Sequence, residues 1–308
     1  MSFPLRKWSR QNRQANTLTI RQSKPVKKWS GLPLIYSERS KNRVKAIAVI
    51  NQKGGVGKST TAAAVGAGLI LKGYRVLFID LDAQGNISHT LRATPNSSGI
   101  MAMLQEPEIV RQTIEELPTA AITGSKERKG AAAVYGVIAS SNKLAAADTL
   151  LDSVGKEYRL KEALELIEPL YDYAIIDTPP ALGILTVNAL TAATAAIVPA
   201  QADIYSLQGI AQLSNTVNTI KKYCNPELEI LGIVLTRYNS RAIISRELAE
   251  LISSTAAKLN TKAYSTKIRE CTAIKESQAV RECIYTYAPK SNAAADYSAL
   301  LSEIITEI

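Results

Sequence analysis

The sequence contains one histidine and three cysteines, and it has no long apolar run. No serine–histidine–aspartate triad can be built around His89, the only histidine. Cys224, Cys271 and Cys283 are odd in number and lack C-x-x-C spacing, which argues against a disulfide framework or a zinc site. No apolar stretch reaches the ~18 residues of a membrane-spanning helix, and no apolar segment follows the basic N-terminal residues as in a secretory signal. These absences favour a cytoplasmic protein with reduced thiols.

Acidic residues are almost missing from the N-terminal segment. The 308-residue chain has 37 Lys+Arg and 27 Asp+Glu, a formal charge of +10. Residues 1–45 hold twelve of the bases and a single acid, Glu38, so this segment carries +11 and the rest −1. Residues 1–43 are also poor in aliphatic side chains, which predicts a basic, mostly disordered tail.

A short repeat occurs within this tail. The hexapeptide PLRKWS at 4–9 returns as PVKKWS at 25–30, and the two copies hold both tryptophans of the chain. Two interpretations stay open. The repeat is a chance feature of a low-complexity leader, or it is a pair of basic-aromatic contact motifs for nucleic acid or a protein partner.

From residue 44 onward, short apolar runs alternate with helical patterns. Near-continuous apolar strands of this kind are typical of a parallel sheet that is covered by helices on both faces. The sequence therefore predicts one doubly wound, mostly parallel α/β domain over 44–308, with an irregular insertion at 105–132. The predicted strands are 44–50, 75–82, 135–139, 173–177, 195–199 and 230–236, and the predicted helices are 58–72, 160–167, 207–223, 244–258 and 294–304.

The strongest motif is a phosphate loop, NQKGGVGKST at 51–60, between the first predicted strand and helix. Its glycines allow backbone N–H groups to converge on phosphate oxygens, and the helix N-terminus adds a favourable dipole. Lys58 is placed to reach the phosphates, and the Ser59 hydroxyl to bind Mg²⁺. The simple pattern G-x-x-x-x-G-K-[ST] is not matched, because Gln52 stands at its first position. A second lysine, Lys53, opens the loop instead.

Carboxylates follow two further predicted strands. Asp80 and Asp82 end the run RVLFIDLD, and Asp177 ends YAIID. Ligands bind outside the carboxyl ends of strands in open parallel sheets, where carboxylates hold Mg²⁺ or orient an attacking water. Capping of the following helix is the alternative role for any one of them.

Together these segments resemble the ParA/MinD family of deviant Walker A ATPases, a branch of the P-loop NTPases. KGGVGKST (53–60) is similar to the deviant Walker A motif, DLDAQGN (80–86) to the D-x-D-P-Q-x-N segment and YAIIDTPP (173–180) to the Walker B region. TKIRECTAIKESQA (266–279) and YAPKSNAAADY (287–297) are similar to the C-terminal part of plasmid-type ParA proteins. The resemblance covers 44–308 and not the tail, and it departs at Ala83, where the family usually has proline.

The resemblance implies a role for each matching residue. Lys53 is expected to cross an ATP-sandwich dimer to the partner's nucleotide, and Asp82 to position the hydrolytic water. Magnesium is expected at Ser59, Asp82 and Asp177, and DNA at Arg241, Arg269 and Lys275. The expected ATP contacts are Lys53, Gly54, Gly55, Val56, Gly57, Lys58, Ser59, Thr60, Asp177, Thr236 and Arg237.

The function implied by the resemblance is that of a ParA-type partitioning ATPase, weakly active without a partner. Such a protein dimerises with MgATP, binds DNA without sequence preference on the nucleoid, and leaves it after hydrolysis stimulated by a ParB-like protein. The alternative is a cargo-positioning or regulatory scaffold whose ATP switch recruits a protein adaptor. A nitrogenase-type cluster is disfavoured by the cysteine positions. A MinD-type membrane helix is disfavoured because SALLSEIITEI at 298–308 has two acids and no base.

Overall fold

The computed structural model describes residues 43–94, 99–124, 134–257 and 260–308. These residues contain seven strands: β1 Lys45–Val49, β2 Val76–Asp80, β3 Ile114–Pro118, β4 Val134–Ile138, β5 Tyr173–Asp177, β6 Ala195–Gln201 and β7 Glu229–Thr236. Their helices are α1 Lys58–Leu71, α2 Asn86–Thr90, α3 Gly99–Gln105, α4 Val110–Thr113, α5 Ala120–Thr123, α6 Ala147–Leu150, α7 Arg159–Glu165, α8 Ile184–Ala192, α9 Ile204–Tyr223, α10 Ile243–Ala256, α11 Thr272–Ala279, α12 Ile284–Tyr287 and α13 Asn292–Ile305. No helix of these ranges is long and apolar enough to cross a membrane.

The strands form one sheet in the order β3-β4-β2-β5-β1-β6-β7, parallel except for β3. Strands β2 and β5 are buried along their length, and an apolar layer packs on each face of the sheet. Helix α1 lies close to the sheet because Gly66 has no side chain; a Cβ there would be 2.2 Å from the Phe78 ring. The predicted doubly wound α/β fold is confirmed.

The register of the sheet brings the functional segments to one edge. Val49 of β1 and Asp80 of β2 are both paired with Asp177 of β5. Because parallel strands share a direction, the phosphate loop after β1 and the carboxylates after β2 and β5 meet at the carboxyl edge.

The prediction of an irregular insertion at 105–132 is wrong for its described part. A short 3₁₀ turn, α4 and α5 flank β3, which pairs antiparallel with β4 and forms the sheet edge. In the sequence of β3, IEELP, apolar and polar residues alternate only weakly, and the strand is partly exposed. Both features are usual for an edge strand with charged side chains. A buried-strand pattern therefore could not reveal it.

The predicted tail falls almost entirely on residues 1–42, which lie outside the described residues. Its last residue, Arg43, is described: the guanidinium forms ion pairs with Glu168 at 3.5 Å and Glu227 at 3.6 Å. These pairs attach the start of β1 to two neighbouring loops. The order or disorder of the tail stays a prediction.

Candidate nucleotide-binding site

The phosphate loop is anchored at its first residue. Asn51 is buried; its amide Nδ2 donates to the carbonyl of Pro199 in β6 at 2.6 Å, and its Oδ1 accepts from the Lys53 N–H at 2.9 Å. Gly55 and Gly57 then take left-handed backbone angles, with φ of 75° and 86°. A Cβ on Gly54 or Gly55 would meet no atom within 4 Å. The loop is thus a fixed turn in which Gly54 and Gly55 face open space, whereas a Cβ on Gly57 would lie 3.7 Å from the Thr236 side chain.

Side chains from β6 and β7 hold the far side of this loop. The Thr236 hydroxyl donates to the Val56 carbonyl at 2.8 Å, and the Gln201 amide donates to the Gly55 carbonyl at 3.1 Å. Both contacts engage carbonyls of the loop and attach it to β6 and β7. Thr236 was predicted from the resemblance, whereas Gln201 belongs to no motif and was missed.

Arg237 directly follows Thr236 and is exposed at the same edge. Its φ of 48° lies in the left-handed region, which is uncommon for a residue with a side chain. Backbone strain of this kind clusters at ligand sites. The position fits the predicted role of Arg237 beside a nucleotide.

Lys58 is buried at the start of α1, and its ammonium donates to the Lys53 carbonyl at 3.3 Å. Burial lowers the pKa of Lys58, while the nearby carboxylates of Asp177 and Asp82 act in the opposite direction. A buried cation beside a glycine loop, whose charged neighbours are the carboxylates of Asp177 and Asp82, is suited to a phosphate.

Lys53 points to a different partner. Its ammonium forms an ion pair with Asp203, the residue that caps α9 by accepting the Ser206 N–H at 2.8 Å. The same ammonium lies 5.9 Å from the centre of the Tyr205 ring. In this single chain Lys53 is therefore held at the rim by the start of α9. Asp203 was not predicted, because it lies 150 residues away in the sequence.

The deepest carboxylate is Asp177. It is fully buried, and neither of its oxygens accepts a hydrogen bond of normal geometry from the described residues, although the Ser59 hydroxyl is close enough to favour its charge. Burial, with Asp80 nearby, raises the pKa of Asp177 well above its usual range; Ser59 and Lys58 oppose this. A buried carboxylate without partners, next to a hydroxyl, is an oxygen donor set that fits Mg²⁺.

Asp80 and Asp82 differ in what they contact. Asp80 accepts from the Ser88 N–H at 2.9 Å and the Ser88 hydroxyl at 2.7 Å, and burial raises the pKa of Asp80 to about 6. Asp82 accepts only the Gln84 N–H, at 3.0 Å on Oδ1, among the described residues. Asp82 is therefore the better placed of the two to contact a water or a metal.

Helix α11 contacts the site from its other side. The Gln278 amide donates to the Thr60 hydroxyl at 2.9 Å, so the predicted nucleotide contact Thr60 has a protein partner. His89 lies on α2, and its Nε2 accepts from Arg281 at 2.9 Å. These contacts join the first turn of α1 to α11, and α2 to the residues that follow α11.

The three predicted DNA contacts have different surroundings. Lys275 on α11 and Arg241 before α10 are exposed. Arg269 instead forms a forked ion pair with Asp296 of α13, with Nη2 at 2.6 Å and Nε at 2.9 Å from its oxygens. Its guanidinium is thus engaged within the protein. The DNA role of all three stays a prediction.

Comparison with known proteins gives consistent matches. A family model described as an AAA domain matches residues 44–230. The sporulation initiation inhibitor protein Soj of Bacillus subtilis is 34% identical over 268 residues, which are 84% of this chain and 98% of Soj. The chromosome partitioning protein ParA of Caulobacter vibrioides is 34% identical over 270 residues, 87% of this chain and 96% of ParA.

A solved structure of cobyrinic acid a,c-diamide synthase from Mycobacterium smegmatis, with bound ADP and magnesium, is also similar. It shares 28% identity and a TM-score of 0.68, over 85% of this chain and 94% of the synthase. Motifs, fold and relatives agree, and the chain belongs to the ParA/MinD family of deviant Walker A ATPases, to which the sequence analysis assigned it.

Proposed function

We propose that this protein is a partitioning ATPase of the ParA type, which binds MgATP, dimerises on it and binds DNA until hydrolysis releases it. The observation that carries this proposal is the constellation of Lys58, Ser59 and the unpartnered Asp177 at the end of the glycine loop. The names of the Soj and ParA relatives, and the ADP and magnesium in the M. smegmatis synthase, support it.

In this proposal, different groups of the chain contact the phosphates, the magnesium ion and the attacking water. The N–H groups of the loop at 54–59 bind phosphate oxygens, and Lys58 balances their charge. Ser59 and Asp177 hold Mg²⁺, with Asp82 close to them. Magnesium, when bound, neutralises the charge that develops on the phosphates. The Asp82 carboxylate orients the water that attacks.

An apolar rim at the carboxyl edge supports dimerisation. Ile204 and Tyr205 at the start of α9 are 61% and 69% exposed, and Ile243 and Ile244 at the start of α10 are 65% and 60% exposed. These apolar side chains lie at the starts of two helices that contact each other, where a second protein surface could cover them. We infer that a second copy covers this rim and that Lys53 leaves Asp203 for the partner's nucleotide.

The basic tail supports DNA binding. Residues 1–43 hold eleven bases and one acid, a formal charge of +10, whereas residues 44–308 hold 26 bases and 26 acids. The tail therefore supplies most of the attraction to a polyanion, with Arg241 and Lys275 as exposed additions. Binding to DNA places the protein on the nucleoid, and a ParB-like partner is the expected stimulator of hydrolysis. The repeated K-W-S motif favours one alternative, in which the tail docks a cargo-adaptor protein.

Truncation distinguishes these two roles of the tail. Deletion of residues 1–43 is expected to leave ATP binding intact, since β1 begins at Lys45. Each phosphate contact contributes about −0.9 to the slope of log affinity against log salt. The deletion should therefore flatten this slope on duplex DNA by several units. An unchanged slope with loss of partner-stimulated hydrolysis would assign the tail to the adaptor.

Two lysine variants test the ATPase itself. Lys58→Ala is expected to lose MgATP binding, whereas Lys53→Ala should bind MgATP but lose hydrolysis and ATP-dependent dimerisation. Binding can be followed with a fluorescent ATP analogue and dimerisation by sedimentation. Equal hydrolysis by wild type and Lys53→Ala would refute the role of Lys53 in the partner's site.

A further inference from the structure

Ser140 is a buried serine just after β4 that belongs to none of the family's motifs. Its hydroxyl donates to the backbone carbonyl of Asp82, and its N–H donates to the Ser88 hydroxyl at 2.9 Å. Ser140 is only 4% exposed and lies 58 residues from Asp82 in the sequence. It therefore joins the end of β4 to the loop that carries the proposed water-positioning carboxylate.

These bonds belong to a closed ring. The Ser88 hydroxyl donates to Asp80 Oδ2, and Asp80 Oδ1 accepts the Asp82 N–H at 3.2 Å. The ring thus runs through Asp80, Ser88, Ser140 and Asp82, all of which are buried. It connects the ends of β2 and β4 to α2. A buried polar network in which the members satisfy one another fixes the geometry of the segments it joins.

The ring fixes the backbone of Asp82 on both sides. The Asp82 N–H is held by Asp80, and the Asp82 carbonyl accepts from Ser140 and, at 2.9 Å, from the Gly85 N–H. The next residue is Ala83, where the family usually has a proline. Alanine leaves φ free, whereas a proline ring would lock it. The hydrogen-bonded ring therefore restrains the backbone of this loop, which has no proline at position 83 to do so.

We propose that Ser140 is a positioning residue for ATP hydrolysis, acting by holding the Asp82 backbone so that the carboxylate keeps its place beside Lys58 and Asp177. The inference rests on the proposed ATPase function. Ser140 touches none of the phosphate-loop residues in the described contacts, so it should affect the rate of the chemical step and leave nucleotide affinity alone.

The test is Ser140→Ala, with Ser141→Ala as the matched control. Ser141 is the adjacent serine, and its hydroxyl accepts only the Lys143 N–H, at 3.3 Å, away from the Asp82 loop. Ser140→Ala is expected to lower kcat about 3- to 10-fold, the effect of one hydrogen bond, with KM and the affinity for a fluorescent ATP analogue unchanged. Ser141→Ala should match wild type in all three quantities.

A second pair of measurements keeps the test independent of folding. Ser88→Ala breaks the same ring at another member and should lower kcat in the same way. The double variant should lose less than the product of the two single losses, because one ring is broken in each case. Rates are expressed per nucleotide-binding site, so that misfolded protein does not enter kcat.

The outcomes separate the inference from the function on which it rests. If wild-type protein shows no magnesium-dependent ATP hydrolysis, the proposed function fails. If wild type is active and Ser140→Ala has an unchanged kcat, or loses nucleotide affinity in proportion to its rate, the positioning role is overturned. If the loss of kcat in the double variant equals the product of the two single losses, Ser88 and Ser140 act independently, and the role of the ring is refuted.

Discussion

The ion pair between Lys53 and Asp203 competes with the proposed transfer of Lys53 to a partner subunit. Asp203→Asn removes the charge of the pair, and it keeps the cap of α9 because asparagine caps a helix as well as aspartate does. Burial alone would raise the pKa of Asp203, but the hydrogen bonds from Lys53 and the Ser206 N–H, with the charge of Lys53, hold it below its usual value. The aspartate is therefore charged at neutral pH.

The size of the effect follows from the exposure of the pair. The Lys53 and Asp203 side chains are 26% and 31% exposed, so the pair is partly screened by water and contributes about 0.5–1 kcal/mol. Each protomer breaks one pair on dimerisation, or about 1–2 kcal/mol per dimer. Removing this cost should tighten the ATP-dependent dimer about 5- to 30-fold.

Sedimentation equilibrium with a non-hydrolysable ATP analogue measures the dimer constant directly. The difference between Asp203→Asn and wild type should shrink in high salt, which screens the pair in the wild-type monomer. In the Lys53→Ala background the same substitution should bring no gain. A dimer of Asp203→Asn that is as weak as wild type, or weaker, would show that Lys53 is not released from Asp203.

Three further substitutions test the buried carboxylate and the surface bases. Because burial raises the pKa of Asp177, its ionised form destabilises the fold, and Asp177→Asn should raise the melting temperature of nucleotide-free protein at pH 7.5. That gain should be lost as the pH falls to about 3, below the ordinary aspartate pKa, where the wild-type carboxyl is largely protonated in both the folded and the unfolded protein. Equal gains at the two pH values would contradict the reasoning. Arg269→Ala should lower the melting temperature because it removes the guanidinium that pairs with Asp296 and leaves only the backbone N–H of residue 269 on that carboxylate. Lys275→Ala should weaken DNA binding without a change in melting; gel shift and calorimetry separate the two effects.

The parts of the fold that the sequence predicts well are those with strong local patterns. Strand β5 begins and ends at the predicted residues, 173 and 177. Its sequence, YAIID, is a short apolar run that ends in one aspartate, and this pattern marks both ends of the strand. The phosphate loop lies between β1 and α1 as expected, because its glycines and the following helix form a local unit. Parallel pairing of the flanking strands then brought the predicted carboxylates to the same edge.

The contacts that shape the site were harder to predict, because they join distant segments. Asp203 and Ser140 belong to no motif. Their contacts with Lys53 and Asp82 follow from the sheet order, in which β4 lies beside β2 and β6 lies beside β1. Arg269 shows the reverse case. The resemblance predicts that Arg269 contacts DNA, and only the fold shows that its guanidinium is paired with Asp296.

Burial of Asp177 and Lys58 is only partly offset by the neighbouring charges of the protein, so a ligand that pairs with both would stabilise this domain. Burial raises the pKa of Asp177 and lowers that of Lys58, so the protein resists a negative charge at one and a positive charge at the other. A magnesium–phosphate ligand supplies a cation for the first and an anion for the second. Binding that is specific for the folded state adds about 2.7 kcal/mol of stability at a ligand concentration 100-fold above Kd. Lys58 lies in the same first turn of α1 as Thr60, whose hydroxyl accepts from Gln278 of α11, the helix that also bears Lys275.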